Sequence, residues 1–402
     1  MKLLDLPKRT PDPARTPNML ARHLFSIYEH FRLDHLTPLN CRHDVVVPEL
    51  RALVGKSNGV LRCEALGRSL EGRSINLVTC GRGTKRILLW SQMHGDEYTA
   101  TLALMDIFNF IGQQRKEKWL RDMLDETTLY FIPMLNPDGA EKRQRRTAQN
   151  IDMNRDALQL GTPEARALRG LQQKLRPQFG FNLHDQDLAT VGDSGEVTAL
   201  ALLAPPSERK RTSSPVRTRA MRVAALLARV LHQFIPRNIA TYPDAFEPRA
   251  FGDNFQALGT STVLIESGHW PDDRNKQFVR KLNFVGILTA LRCIGNGSYQ
   301  DVELDAYRTL PQNGKAIYDI IIRDVLLEHS SGWSHTVDIG LAIPTNDYSN
   351  PQTVIIKELG DLSTFTALET IAGRQRRISS AALTIESPVE LKTLLDVLQL
   401  PH

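Results

Sequence analysis

His94-Gly95-Asp96-Glu97 sets an imidazole and a carboxylate three residues apart. On a first helical turn or a tight turn, side chains at that spacing point the same way. Together they could hold one metal ion through a ring nitrogen and a carboxylate oxygen. A third candidate ligand is His184, in Phe-Asn-Leu-His-Asp (181–185). Two histidines and one glutamate leave a fourth zinc position open to water, the pattern of catalytic rather than structural zinc. Read alone, His184 also fits a structural histidine at a strand end. Glu266, in Thr-Val-Leu-Ile-Glu-Ser (262–267), closes an apolar run. A carboxylate there is seldom left unpaired, so it sits in an ion pair or works as a base beside a metal. Arg145-Arg146-Thr147 and Asp152-Met153-Asn154-Arg155 bring guanidiniums, which can grip a carboxylate bidentately. Alone, 141–146 fits a solvated charge run, and Asn136-Pro137-Asp138-Gly139 is a turn.

These residues need elements to aim them. Residues 86–93 (RILLWSQM) form a continuous apolar run, as a central strand covered on both faces requires. His94 follows directly, and α/β sheets build sites at the C-terminal ends of their strands. Further strands are expected at 60–66, 75–81, 127–135, 179–185 and 260–267, and helices at 19–33, 98–114, 162–175 and 221–235. Thr162 and Pro163 make a start signal for the third helix. This alternation predicts an α/β fold: a mixed, mostly parallel sheet covered by helices on both faces. Residues 190–220 lack periodicity and read as a long loop, either a solvated surface or a lid. Strand-like runs at 316–327, 336–344, 353–362 and 380–387, with a helix at 389–398, predict a small β-rich C-terminal appendage. The expected organisation is an N-terminal arm and helix (1–59), a catalytic domain (60–299) and an accessory domain (300–402).

The order HGDE, NPDG, RRT, DMNR, LHD, LIESG resembles the zinc carboxypeptidase family, the carboxypeptidase A-like metallopeptidases, over residues 60–295. The upstream GRSLEGRSI (67–75) is similar to that family's approach to its first zinc ligand. The resemblance implies one Zn2+ per chain, held by His94, Glu97 and His184. It implies Asp152 as the carboxylate that orients the first zinc histidine. Asn154 and Arg155 resemble the pair that grips a substrate's terminal carboxylate. Arg145 resembles the oxyanion-stabilising arginine, with Arg146 the candidate if the register is shifted by one. Glu266 resembles the general base, and Tyr242 stands nearest the place of the family's mobile tyrosine. The side-chain pocket falls near Gly252, with Arg249 close by. Asp96 departs from members that carry arginine there. The implied activity is removal of the C-terminal residue from a peptide with a free terminal carboxylate. An alternative is an amidohydrolase of the aspartoacylase and succinylglutamate desuccinylase type, acting on N-acyl amino acids, which shares the zinc set, the Asn-Arg pair and the glutamate. A binding module that had lost catalysis would lack a ligand or the base, and all are present here.

Composition narrows the remaining choices. Fifty Lys+Arg against forty-five Asp+Glu leave a net charge of +5 over 402 residues, without the dense basic stripe of a nucleic-acid binder. The 41% hydrophobic and 24% charged content is that of a globular chain. Cys41, Cys63, Cys80 and Cys293 form no Cys-x-x-Cys pair, which excludes a cysteine zinc site. No apolar run reaches membrane-spanning or signal-peptide length, so a cytoplasmic location is expected.

Overall fold

The computed structural model describes residues 12–315, 317–344 and 352–400. Residues 1–11 of the expected arm, and the ends or gaps of the C-terminal runs at 316 and 345–351, lie outside them. Strands β1 (Arg62–Arg68), β2 (Ser74–Gly81), β3 (Lys85–Ser91), β4 (Thr127–Ile132), β5 (Phe179–Asp185), β6 (Thr190–Val191), β7 (Leu200–Leu203), β8 (Ile239–Thr241) and β9 (Ser261–Ser267) alternate with helices. The helices are α1 (Pro17–Ile27), α2 (His43–Lys56), α3 (Thr99–Gln113), α4 (Lys118–Glu126), α5 (Pro137–Lys142), α6 (Pro163–Leu175), α7 (Pro215–Leu231), α8 (Phe251–Ala257) and α9 (Gln277–Asn296).

Eight strands form one sheet in the order β1-β2-β4-β3-β5-β9-β7-β8. Its centre, β4-β3-β5-β9, is entirely parallel, and antiparallel pairs flank it. The apolar run of β3 splits between two faces as a period of two demands. Ile87 and Leu89 join a core with Phe108 of α3, Leu120 of α4, Leu227 of α7 and Leu288 of α9. Leu88 and Trp90 join a second core with Leu168 of α6 and Phe255 of α8. The expected mixed sheet with helices on both faces is therefore present. Gly180 of β5 is a packing requirement, because a Cβ there would lie 3.1 Å from the Trp90 ring and from Thr260.

Three differences from the sequence reading have physical causes. The expected loop over 190–220 contains β6, the wholly buried β7 and the start of α7, where the Ser214 hydroxyl accepts from Arg217 N–H at 3.1 Å. Four residues of strand carry no readable alternation. Helix α9, twenty residues long, has no counterpart in the sequence expectation. It is buried on most sides, so its apolar residues do not form one stripe. Finally, residues on both sides of position 300 pack on the first core, with Val302 and Tyr307 beyond it. Tyr299 meets Phe179 edge-on with centroids 5.2 Å apart, and the Tyr307 hydroxyl accepts from Ala204 N–H at 3.0 Å. That tyrosine lies on the short helix α10 (Asp305–Arg308).

The chain then crosses the rim of the first sheet. Strand β10 (Asn313–Gly314) pairs antiparallel with β6. A second sheet follows, of β11 (Ile317–Glu328), β12 (Ser334–Ala342), β13 (Thr353–Gly360), β14 (Thr366–Ala372), β15 (Arg377–Ser379) and β16 (Pro388–Glu390). It has its own core, with Ile322, Ile339 and Ile356 covered by Leu394 and Leu395 of α11 (Leu391–Val397). An ion pair between Arg274 and Glu369, 3.3 Å long, joins the two sheets' surroundings.

Candidate metal centre and active site

Two backbone loops must meet to make the site. One leaves β3 and carries His94 and Glu97; the other leaves β4 and carries Asn136 to Arg145. Their contact point is Gly95, whose missing Cβ would sit 2.0 Å from the carbonyl carbon of Gly139. Gly95 N–H also donates to Arg145 O at 3.3 Å. Gln92, held at φ +51°, turns the chain out of β3, and its side-chain amide donates to Gly95 O at 2.9 Å. Asn136 accepts from Gly139 N–H at 2.9 Å and donates to Met93 O at 3.2 Å, so it caps α5 and ties the loops together. Asp138 is buried and accepts from Ser69 Oγ (2.6 Å), Glu71 N–H (3.0 Å) and Arg73 Nη1 (2.8 Å). The Asn-Pro-Asp-Gly motif is thus a scaffold that fastens the 69–73 turn beneath the site. The sequence reading of it as a turn missed that anchoring.

His94, Glu97 and His184 converge. His94 Nδ1 lies 2.6 Å from Glu97 Oε1, and His184 Nδ1 lies 2.7 Å from Glu97 Oε2. All three side chains are at most 5% exposed, and their candidate donor atoms lie within 4.8 Å of one another. Two imidazole nitrogens and one carboxylate, facing inward at a strand end, are the donor types and number that suit zinc with one position left open. His94 Nε2 is 3.1 Å from Asp152 Oδ1, the carboxylate–histidine arrangement that orients a metal-ligating ring. The residues present therefore fit a metal ion. Burial disfavours charge on His94, but Glu97 and Asp152 outweigh it and push its pKa up to about 9. Burial likewise opposes ionisation of Glu97, and the two histidines hold it well below the usual carboxylate range.

Arg145 faces this cluster. Its Nη1 donates to Glu97 Oε1 at 3.0 Å and its Nη2 to Asp152 Oδ2 at 3.4 Å. Arg146 points elsewhere, donating to Asn150 O at 3.1 Å. Glu266 comes from the neighbouring strand, with β5 and β9 registered so that His184 lies beside Glu266. Its carboxyl is buried, and burial followed by the negative charge of Glu97 raises its pKa well above the ordinary value. Tyr242 follows β8 and packs over Val191 and Ala201. The charge of Glu266 and then burial push its phenol up to about 12, which places the two groups in one electrostatic neighbourhood.

Asn154 and Arg155 sit on the other flank. Asn154 Oδ1 accepts from Phe251 N–H at 3.0 Å, which leaves its amide N–H groups as donors. Arg155 donates through Nη1 to Asn154 O at 2.8 Å, and its Nε lies 3.7 Å from Glu247 Oε2. Glu247 also receives Arg249 through Nε (2.9 Å) and Nη2 (2.6 Å). Neither Glu247 nor Asp185, which follows His184, was singled out from sequence. Asp185 carried a signal, a carboxylate next to a candidate ligand; Glu247 had none.

Comparison with known proteins places this geometry. Residues 47–189 match the family described as zinc carboxypeptidase. Carboxypeptidase SOL1 of Arabidopsis thaliana is 26% identical over 182 residues, covering 41% of this chain and 37% of that protein. Carboxypeptidase D of Drosophila melanogaster is 33% identical over 111 residues, 23% of this chain and 8% of that protein. The matches span well under half the length of these relatives. Among solved structures, bovine thrombin-activatable fibrinolysis inhibitor, determined with a tick carboxypeptidase inhibitor, superposes with a TM-score of 0.52 at 12% identity. That match covers 65% of this chain and 98% of the other, and it establishes likeness of fold. The resemblance is borne out over residues 47–189, which hold the first five of the six ordered motifs. The matched family segment contains His94, Glu97, Arg145, Asp152, Asn154, Arg155 and His184 but ends before Tyr242 and Glu266.

Proposed function

We propose, from the premise that residues 47–189 carry a zinc carboxypeptidase domain, that this protein hydrolyses the C-terminal amide bond of peptides with a free terminal carboxylate. One observation carries the reading: His94, Glu97 and His184 present metal-ligand atoms to one point, with Glu266 registered beside His184. Zinc at that point supplies a Lewis acid that polarises a carbonyl and acidifies a water.

The chain's own residues supply the rest. Glu266 accepts a proton from the attacking water and returns it to the departing amine. Its burial beside Glu97 makes a protonated carboxyl accessible, as the second half of that cycle needs. Arg145 offers guanidinium N–H donors to the oxyanion that develops on the scissile carbonyl. Asp152 fixes the ring of His94 through Nε2. The amide of Asn154 and the guanidinium of Arg155 hold the terminal carboxylate, so that only the last peptide bond reaches the reacting centre. Tyr242, from the rim beside Glu266, covers the bound chain end.

A mixed panel tests this reading with the zinc-loaded protein and mass spectrometry. It contains free-acid peptides, their C-terminal amides, peptides with γ-linked glutamate, and N-acyl amino acids. Stepwise loss of one residue from the free acids is the expected result. Release of acyl groups with peptides untouched moves the protein to the amidohydrolase reading.

A further inference from the structure

We infer that Lys276 is a positioning residue for the hydrolysis: its buried ammonium clamps the ends of β5 and β9, one residue beyond the proposed ligand His184 and the proposed base Glu266. The inference rests on the roles proposed above for those two residues.

The segment leading into α9 is built to deliver this side chain inward. Asp273 Oδ1 accepts from Gln277 N–H at 2.7 Å and its Oδ2 from Phe278 N–H at 2.8 Å, while Lys276 N–H donates to Asp273 O at 2.9 Å. Lys276 itself adopts φ +51°, a left-handed conformation that a lysine rarely takes. The side chain is turned inward to the strand ends, and the residue is 2% exposed. The ammonium donates to Ser267 O at 3.2 Å and lies 3.5 Å from Asp185 Oδ2.

Asp185 and Ser267 are registered with each other, and they form the last pair of the β5–β9 ladder. Just beyond them Gln186 N–H donates to the same Ser267 O at 3.0 Å, so the ammonium shares that carbonyl with the backbone and adds a side-chain tie to the ladder's end. The pair just inside is His184 with Glu266. The same Asp185 carboxylate accepts from Thr99 Oγ1 at 2.6 Å, and Asp185 N–H donates to Glu97 Oε2 at 3.3 Å. Lys276 therefore touches both strand ends directly, and through Asp185 it is tied to Glu97 and to the start of α3. Asn283, one helical turn pair further along α9, supports the same place by donating to Ser267 Oγ at 2.9 Å. A buried ion pair is a poor device for stability alone, since well-packed apolar residues do as well or better. Its use here is geometric: it fixes the separation between a base and a metal ligand on adjacent strands.

The test compares wild-type protein with Lys276→Met, which keeps length and removes charge. Folding is followed by circular dichroism and metal content by elemental analysis. On whichever substrate the panel identifies, kcat is expected to fall on the order of 10- to 100-fold in folded, zinc-replete variant, with KM within about twofold. The acid limb of the pH profile of kcat/KM is expected to move, because the environment of the base changes. A purely structural lysine would lower the melting temperature and leave kcat per folded, metal-loaded site alone, and that result overturns the inference. Should Lys276→Met fail to fold, Lys276→Met/Asp185→Asn, which leaves no uncompensated charge, is measured in the same way and judged by the same criterion. If the wild-type protein turns over nothing on the panel, the proposed function fails separately. The clamp is then judged by the visible spectrum of the Co2+-loaded proteins: a shifted band in Lys276→Met supports it and an identical band refutes it.

Discussion

Gly95→Ala should break the site without touching any group that does chemistry. The added Cβ would start 2.0 Å from Gly139 C and 2.3 Å from Ala140 N, both backbone atoms that cannot swing aside. Restoring an ordinary contact of 3.4 Å requires the two loops to part by about 1.4 Å. The displacement falls between His94 and Glu97 on one side and Arg145 on the other, whose carbonyl receives Gly95 N–H. Misplacement of about 1 Å in a catalytic constellation costs roughly 100-fold in rate. Overpacking a rigid contact costs about 1–3 kcal/mol of stability. The expected variant is folded, melts a few degrees lower, binds zinc more weakly and loses about 100-fold or more in kcat/KM. Competition with a chromogenic chelator gives the zinc affinity, and peptide hydrolysis gives the rate. Gly170→Ala is the matched control. That glycine lies on the exposed side of α6 with nothing within 4 Å of its would-be Cβ, so alanine should stabilise by about 0.5–1 kcal/mol and leave activity intact. A Gly95→Ala protein with wild-type zinc affinity and rate would refute the claim that this backbone contact sets the site.

Three further outcomes are expected. Glu266→Gln should abolish turnover while retaining stoichiometric zinc by elemental analysis; substantial remaining activity removes Glu266 as the base. Arg155→Ala should slow cleavage of free-acid peptides far more than any reaction with their C-terminal amides, and equal effects on both would end its assignment to the terminal carboxylate. Burial, reinforced by the charge of Asp138, pushes the Glu164 carboxyl from 4.5 up to about 7. Its folded pKa is therefore raised, so this contribution to stability is full below pH 4.5 and is lost as pH rises to 7, by about 3 kcal/mol. Glu164→Gln should remove that slope from urea-unfolding free energies measured across the window, and an unchanged slope contradicts it.

The sequence was most readable where one physical demand dominated. Residues 87–90 are wholly buried in β3, and their uninterrupted apolar character said so. Thr162 and Pro163 announced α6, whose first turn the Thr162 hydroxyl caps by accepting from Ala165 N–H at 3.1 Å. The candidate metal ligands were legible because their spacing and their position after apolar runs agreed. What stayed hidden depended on distant partners. Lys276 gives no local sign that it will be buried against Asp185, ninety-one positions earlier. Glu247 gains meaning only when Arg155 and Arg249 arrive beside it. Arg145 and Arg146 are chemically alike in sequence, and only the bend of the loop gives one of them Glu97 and the other a surface carbonyl. Helix α9 shows the opposite problem, because burial on most sides blurs the amphipathic stripe that would have revealed it.

The placement of Glu97 and His184, eighty-seven positions apart yet within 2.7 Å, has a consequence for the order of assembly. No hairpin or single helix can bring them together; β3 and β5 must first pair in parallel, a slow, non-local event. Ion capture is therefore a late step of folding, and its free energy accrues to the finished sheet rather than to any fragment. At a free ion concentration a thousandfold above Kd, that amounts to about 4 kcal/mol. A newly made chain would remain easily degraded until the sheet closed and the ion arrived. Metal supply would then govern how long the protein survives, separately from how fast it works.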